Sequence, residues 1–163
     1  MNRIVRVTER DLLRSALPLV RRYWRLHRPG ESRDYPYGPG RRLEPILDET
    51  REDVGNDWAR LSSWAPRPIF FAPEVPVDRL HVRFPFARPH AVAGVVRLLT
   101  LHELAHHALG HCGLRTSLDA GSREELARAF ETMEAEADAL MRVFWADGLT
   151  PATVRPYRRE VAV

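Results

Sequence analysis

Between Thr8 and His27 the apolar side chains Leu12, Leu13, Leu17, Val20, Trp24 and Leu26 recur at the spacing of one helix face. Thr8-Glu9-Arg10-Asp11 resembles a capping box with Asp in place of the usual Glu or Gln. The spacing therefore predicts a helix over 9–27, kinked at Pro18, whose ring cannot continue the hydrogen-bond ladder. Residues 28–43, rich in Pro, Gly and charge, read as a mobile loop. A second helix is predicted over 44–63, weakened by Gly55 and ended by Pro66 and Pro68. Ile69–Phe71 is a short apolar run between prolines and reads as a strand. Leu80, Val82, Phe84 and Phe86 alternate with His81, Arg83 and Pro85, which predicts a half-buried strand with Pro85 confining it to a sheet edge. A third helix is predicted over 91–110. A fourth opens at the capping box Ser122-Arg123-Glu124-Glu125, runs to about 146 and stops at Gly148, and Thr150-Pro151 opens a last turn. The expected fold class is α+β, mostly helical, in one domain over 1–163. It has a helical part over 1–65, a core over 66–146 with a small sheet edge beside the third helix, and a tail over 147–163.

The 163 residues include one cysteine, Cys112, which excludes an intramolecular disulfide and four-cysteine zinc knuckles. All 25 basic residues are Arg, against 22 acidic ones. Within residues 1–43 there are 11 Arg and 4 acids, which raises contact with nucleic acid or an acidic partner. No aromatic-interleaved or groove-reading pattern accompanies these Arg residues, so weak non-specific nucleic-acid binding at most is expected. No apolar run reaches the roughly 20 residues of a membrane span, and no signal-peptide pattern is present, so the expected location is the cytoplasm, with no membrane partner.

The third predicted helix contains His102-Glu103-Leu104-Ala105-His106, an HExxH. Residues four apart share a helix face, so both imidazoles can reach one zinc ion, and Glu103 beside them can act as general base on a zinc-activated water. His102 and His106 share their face with Val95, Leu98, Leu99 and Leu109, which should point inward. His107 and His111 fall with Arg97 and Thr100 on the opposite stripe, read as polar and solvated. A catalytic zinc takes three protein ligands and leaves one position open. In the spacing HExxHxxGxxH, Leu109 stands where Gly is needed and Cys112 at the last ligand position, with His111 out of register, so neither is favoured as a ligand. The better third ligand lies on the fourth helix, in Glu134-Ala135-Glu136-Ala137-Asp138. Glu134 and Glu136 flank its apolar face on opposite sides. Only Glu134 has a carboxylate at i+4, Asp138, which can orient a metal-bound His.

Together, HELAHHALGH (102–111) and EAEADAL (134–140) resemble the ImmA/IrrE-type metallopeptidases, over about residues 91–146. The resemblance implies a gluzincin-like fold, one Zn2+ held by His102, His106 and Glu134, Glu103 as general base and an edge strand that binds substrate backbone. It also implies an intracellular bacterial hydrolase whose substrates include transcriptional regulators. The expected function is thus a zinc-dependent endopeptidase acting on a protein or peptide substrate. The alternative is a catalytically weak zincin scaffold serving as a regulatory or DNA-associated binding protein. The substrate is expected along the strand near 79–84. His81, His90, Tyr157 and Tyr23 are candidate stabilisers of the transition state.

Overall fold

A computed structural model describes residues 3–29, 43–50, 57–62, 68–111 and 122–157. Strand β1 (Ile4–Arg6) leads into α1 (Glu9–Asp11), a π-helical turn (Leu12–Ala16) and α2 (Leu17–His27), which form one continuous rod. Strands β2 (Pro45–Leu47), β3 (Ala59–Leu61), β4 (Ile69–Phe71) and β5 (Glu74–Pro76) follow. Helix α3 (Val77–Arg83), α4 (Val92–Ala108), α5 (Arg123–Asp147), α6 (Pro151–Val154) and a 3-10 turn (Arg155–Tyr157) complete the described elements.

The first helix begins where expected. Thr8 and Asp11 cap each other reciprocally, with the Thr8 N–H donating to Asp11 Oδ2 at 2.8 Å. Where a kink at Pro18 is expected, the structure has a π turn just before it, in which the Leu17 N–H reaches back to the Leu12 carbonyl within a continuous helical rod. Widening the helix by one residue eases the clash a proline ring makes with the preceding turn. Leu12, Leu17, Val20 and Trp24 are buried, as the stripe requires, whereas Leu13 points outward, and Arg10, Arg14, Arg21, Arg22 and Arg25 are exposed.

Two expected elements are replaced. The chain over 44–63 forms no helix among its described residues; it contributes β2 and β3, which flank β4 in the order β2-β4-β3. Strand β2 is parallel to β4 and β3 is antiparallel to it, with Ala59 opposite Phe71 and Leu61 opposite Ile69. The alternation along Leu80, Val82, Phe84 and Phe86 is not a strand either. Val77, Leu80 and Phe84, at i, i+3 and i+7, are buried as one face of α3 and its C-cap, while Val82 is 83% exposed. Two apolar periods overlap in this segment, and the helical one is the one that buries side chains. The edge strand expected at 79–84 therefore does not form, and the sheet edge beside the helix over Val92–Ala108 is β3. Strand β5 pairs instead with β1.

Helix α4 is the centre of the molecule. The rod packs on one side, α5 on another and β3 at the end carrying the two histidines, so the helix is buried on most of its circumference. The opposite stripe expected to be polar is largely covered. Thr100 is buried and donates to the Val96 carbonyl at 2.7 Å. His107 meets the rod through Tyr23 Oη, 2.8 Å from its Nδ1, and Arg97 stays exposed over the Trp145 ring. Gly94 lets the approach to α4 pass close: a Cβ there would stand 3.0 Å from Pro89 Cβ, and one of the two would have to shift. His81 Nε2 donates to the Pro89 carbonyl at 2.6 Å, tying α3 to this approach.

Helix α5 begins at Ser122, whose side chain accepts the Glu125 N–H at 3.1 Å. It ends at Gly148, whose φ of 81° favours a residue without a side chain. Thr150 caps α6 as expected. The result is an α+β fold with a small sheet. The predicted loop at 28–43 lies mostly outside the described residues, as do Gly55, Pro66 and Cys112. Among the described residues no helix is long and apolar enough to cross a membrane.

Candidate metal centre

Successive turns of α4 set His102 and His106 on the flank facing α5, with their rings 4.7 Å apart. Glu134 reaches in from α5: its Oε2 lies 3.2 Å from His102 Nε2 and its Oε1 3.0 Å from His106 Nε2. One donor atom from each of the three residues lies within 4.8 Å of the other two, so the group could hold a metal ion. Both histidines are buried, and Glu134 is partly exposed.

Asp138, one turn beyond Glu134, brings its Oδ1 to 3.2 Å from the same His102 Nε2. Although two carboxylate oxygens stand this close, the buried Nε2 makes no hydrogen bond to either. A buried ring nitrogen without a hydrogen bond, faced by carboxylates, is the arrangement a cation between them completes. The donor set points the same way, since Glu103, Glu134 and Asp138 bring three carboxylates to one place.

Arg83, at the end of α3, is the fixed cation of the site. Its guanidinium grips Asp138 through Nη1 to Oδ2 at 2.6 Å and Nη2 to Oδ1 at 2.9 Å, and also bonds Glu134 Oε2 at 3.1 Å. It lies 4.4 Å over the Phe84 ring, which in turn packs edge-on to His102. Glu103 is buried on the other side. Its Oε2 accepts the Leu61 N–H of β3 at 2.8 Å, and its Oε1 stands 3.3 Å from His102 Nδ1.

The charges settle one another. Burial opposes ionisation of His102, yet Asp138, Glu103 and Glu134 hold its pKa well above the ordinary histidine value. Burial acts to raise Glu134, but His102 and His106 pull it far below the usual carboxylate range. Asp138 is likewise lowered against burial, by His102 and Arg83, and Glu103 is lowered by His102, His106 and the Leu61 N–H. The three carboxylates are thus held in the ionised form by the cationic groups they face.

A cleft of about 950 Å³ opens onto these groups. Ala59, Arg60 and Leu61 of β3 form one wall, Arg83 and Phe84 another, and Phe130, Glu131, Glu134 and Asp138 of α5 a third. His81, His90, Tyr23 and Tyr157 do not line it. His81 is engaged with Pro89 and packs against His90, and Tyr23 is buried against His107. The guanidinium that bonds the site's carboxylates is that of Arg83, which the strand reading of 80–86 concealed; a helical reading from Val77 places it one turn past Leu80. His111, expected on a solvated stripe, is instead buried, with Nδ1 2.8 Å from His106 Nδ1 and Nε2 3.1 Å from Glu136 Oε2.

No family model, characterised protein or solved structure matches the chain.

Proposed function

We propose that the chain is a zincin-like zinc peptidase, related to the ImmA/IrrE-type enzymes, that cleaves an extended segment of an intracellular protein substrate such as a transcriptional regulator. The observation that carries the reading is the meeting of His102, His106 and Glu134 with the Glu103 carboxylate in one cleft walled by a strand. His102 Nε2, His106 Nε2 and a Glu134 oxygen would hold the zinc, a nitrogen and oxygen donor set that suits it. Zinc held there supplies Lewis acidity, bringing the pKa of water toward 7 and polarising a scissile carbonyl.

The remaining roles fall to the chain's own groups. The Glu103 carboxylate is the proton acceptor: it takes a proton from the attacking water and returns it to the leaving amine nitrogen. Against the effect of burial, His102, His106 and then the Leu61 N–H hold that carboxylate below the usual carboxylate range, and the Leu61 N–H fixes its Oε2. Arg83 fixes Asp138 and Glu134, so that the Glu134 oxygens stay directed at the histidines. Strand β3 takes the substrate role first expected of 79–84. Trp58 and Ser62 bond toward β4, which turns the Ala59 N–H and C=O and the Leu61 C=O to the opposite edge, along the cleft, the Leu61 N–H there being taken by Glu103. An extended peptide adds to such an edge by main-chain hydrogen bonds.

The test is cleavage of a library of extended peptides by zinc-loaded wild type and by Glu103→Gln. Wild type should cleave, and Glu103→Gln should retain zinc while losing at least about 100-fold in rate, the usual contribution of a positioned base. Zinc-loaded wild type that cleaves no peptide or protein substrate would move the centre to a structural role and favour a regulatory scaffold.

A further inference from the structure

We infer that His111 and Glu136 form a relay that fixes the tautomer and ring orientation of His106, making His111 a positioning residue of the metal centre; the inference rests on the metal-site reading above. The two nitrogens of His106 face opposite ways, Nε2 toward Glu134 and Nδ1 toward His111 Nδ1, 2.8 Å away. A metal on Nε2 requires a neutral ring with its proton on Nδ1. That proton must then be accepted by a bare Nδ1 on His111, so His111 carries its own proton on Nε2. Glu136 Oε2 lies 3.1 Å from that Nε2, and an ionised carboxylate can only accept.

The proton arrangement therefore has one direction, from His106 through His111 to Glu136. The reverse would leave a His111 lone pair facing a carboxylate. The backbone is shaped to deliver the contact. Gly110 has φ of 73°, which turns the chain at the end of α4 and lays His111 back against His106. His111 is 1% exposed, so its hydrogen bonds must be found within the protein. Glutamates two residues apart on α5 thus serve the two nitrogens of one histidine, Glu134 directly and Glu136 through His111.

The experiment measures zinc affinity by chelator competition for wild type, His111→Leu and His111→Asn, and records the His106 Nδ1–H resonance of the zinc-loaded proteins by 1H–15N NMR. His111→Leu should bind zinc about 10–100-fold more weakly, the usual loss when the partner of a ligating histidine is removed. His111→Asn, whose amide oxygen can accept the His106 Nδ1–H, should recover most of that loss. Glu136 is half-exposed, so Glu136→Ala leaves the core intact; it should shift the His106 Nδ1–H resonance and speed its exchange with water. Zinc affinity unchanged in His111→Leu overturns the inference, as does an Asn variant no better than Leu, or a resonance indifferent to Glu136→Ala. Wild type that binds no zinc overturns the metal-site reading and the relay with it.

Discussion

Glu134 and Glu136 lie two residues apart on α5 and meet different partners. Glu134 closes on His102 and His106, whereas Glu136 bonds His111. Glu134→Ala should therefore lower zinc affinity far more than Glu136→Ala. Asp138 faces His102 Nε2 and not the ring's other nitrogen, where the sequence reading has it orient a metal-bound histidine; Asp138→Ala should still lower affinity by about 10–100-fold, because it frees Arg83, which Asp138 holds against Glu134. Titration of the three variants with zinc against a chelator checks the order, and equal losses at the two glutamates would reject the ligand assignment. The pairing of Glu134 with Asp138 was legible in the sequence because i+4 spacing on a helix is a geometric fact. Arg83 and His111 were not legible, because their partners lie on other elements or beyond a turn that periodicity does not describe.

At the scale of elements, α3 gives the sharpest test. On the helix, Leu80 is buried and Val82 is 83% exposed, whereas in an alternating strand both would point inward. Leu80→Ala should cost about 2–5 kcal/mol of stability and Val82→Ala less than about 0.5 kcal/mol. Denaturant unfolding measures both, and similar costs would argue for the strand. The long helices α4 and α5 and the N-terminal rod were readable because each carries a start or stop signal and enough turns for its period to stand out. The three-residue strands β2 and β3 carry no such signal. Their apolar residues, such as Ile46, Leu47 and Leu61, fit a helical spacing equally well over so short a run. What decides them is pairing with β4, a contact between segments far apart in the chain. The same holds for α4, where covering by the rod and α5 buries Thr100 and partly buries His107, which composition alone marks as polar.

Across the whole molecule, one core joins Val5 and Val20 to Leu98, Phe144 and Val154, with the candidate metal centre at its α4–α5 face. The rod contributes Val20, Tyr23 and Trp24 to that core and turns its Arg residues outward. Deleting residues 1–28 should destabilise the fold rather than remove one activity, and a thermal melt of the truncated chain tests this. The outward Arg residues predict weak, sequence-independent DNA binding whose log affinity falls with log salt by about 0.9 per phosphate contacted, vanishing near physiological salt. Nanomolar, sequence-selective binding at about 150 mM salt would contradict it and favour a DNA-associated scaffold. The most direct test of the metal centre is zinc K-edge X-ray absorption on the stoichiometrically loaded full chain. One zinc per chain, with imidazole nitrogens and a carboxylate oxygen at about 2.0–2.2 Å and no sulfur, is the predicted result. A sulfur shell at about 2.3 Å, which only Cys112 or a Met could supply, or no ordered nitrogen shell at all, would contradict it.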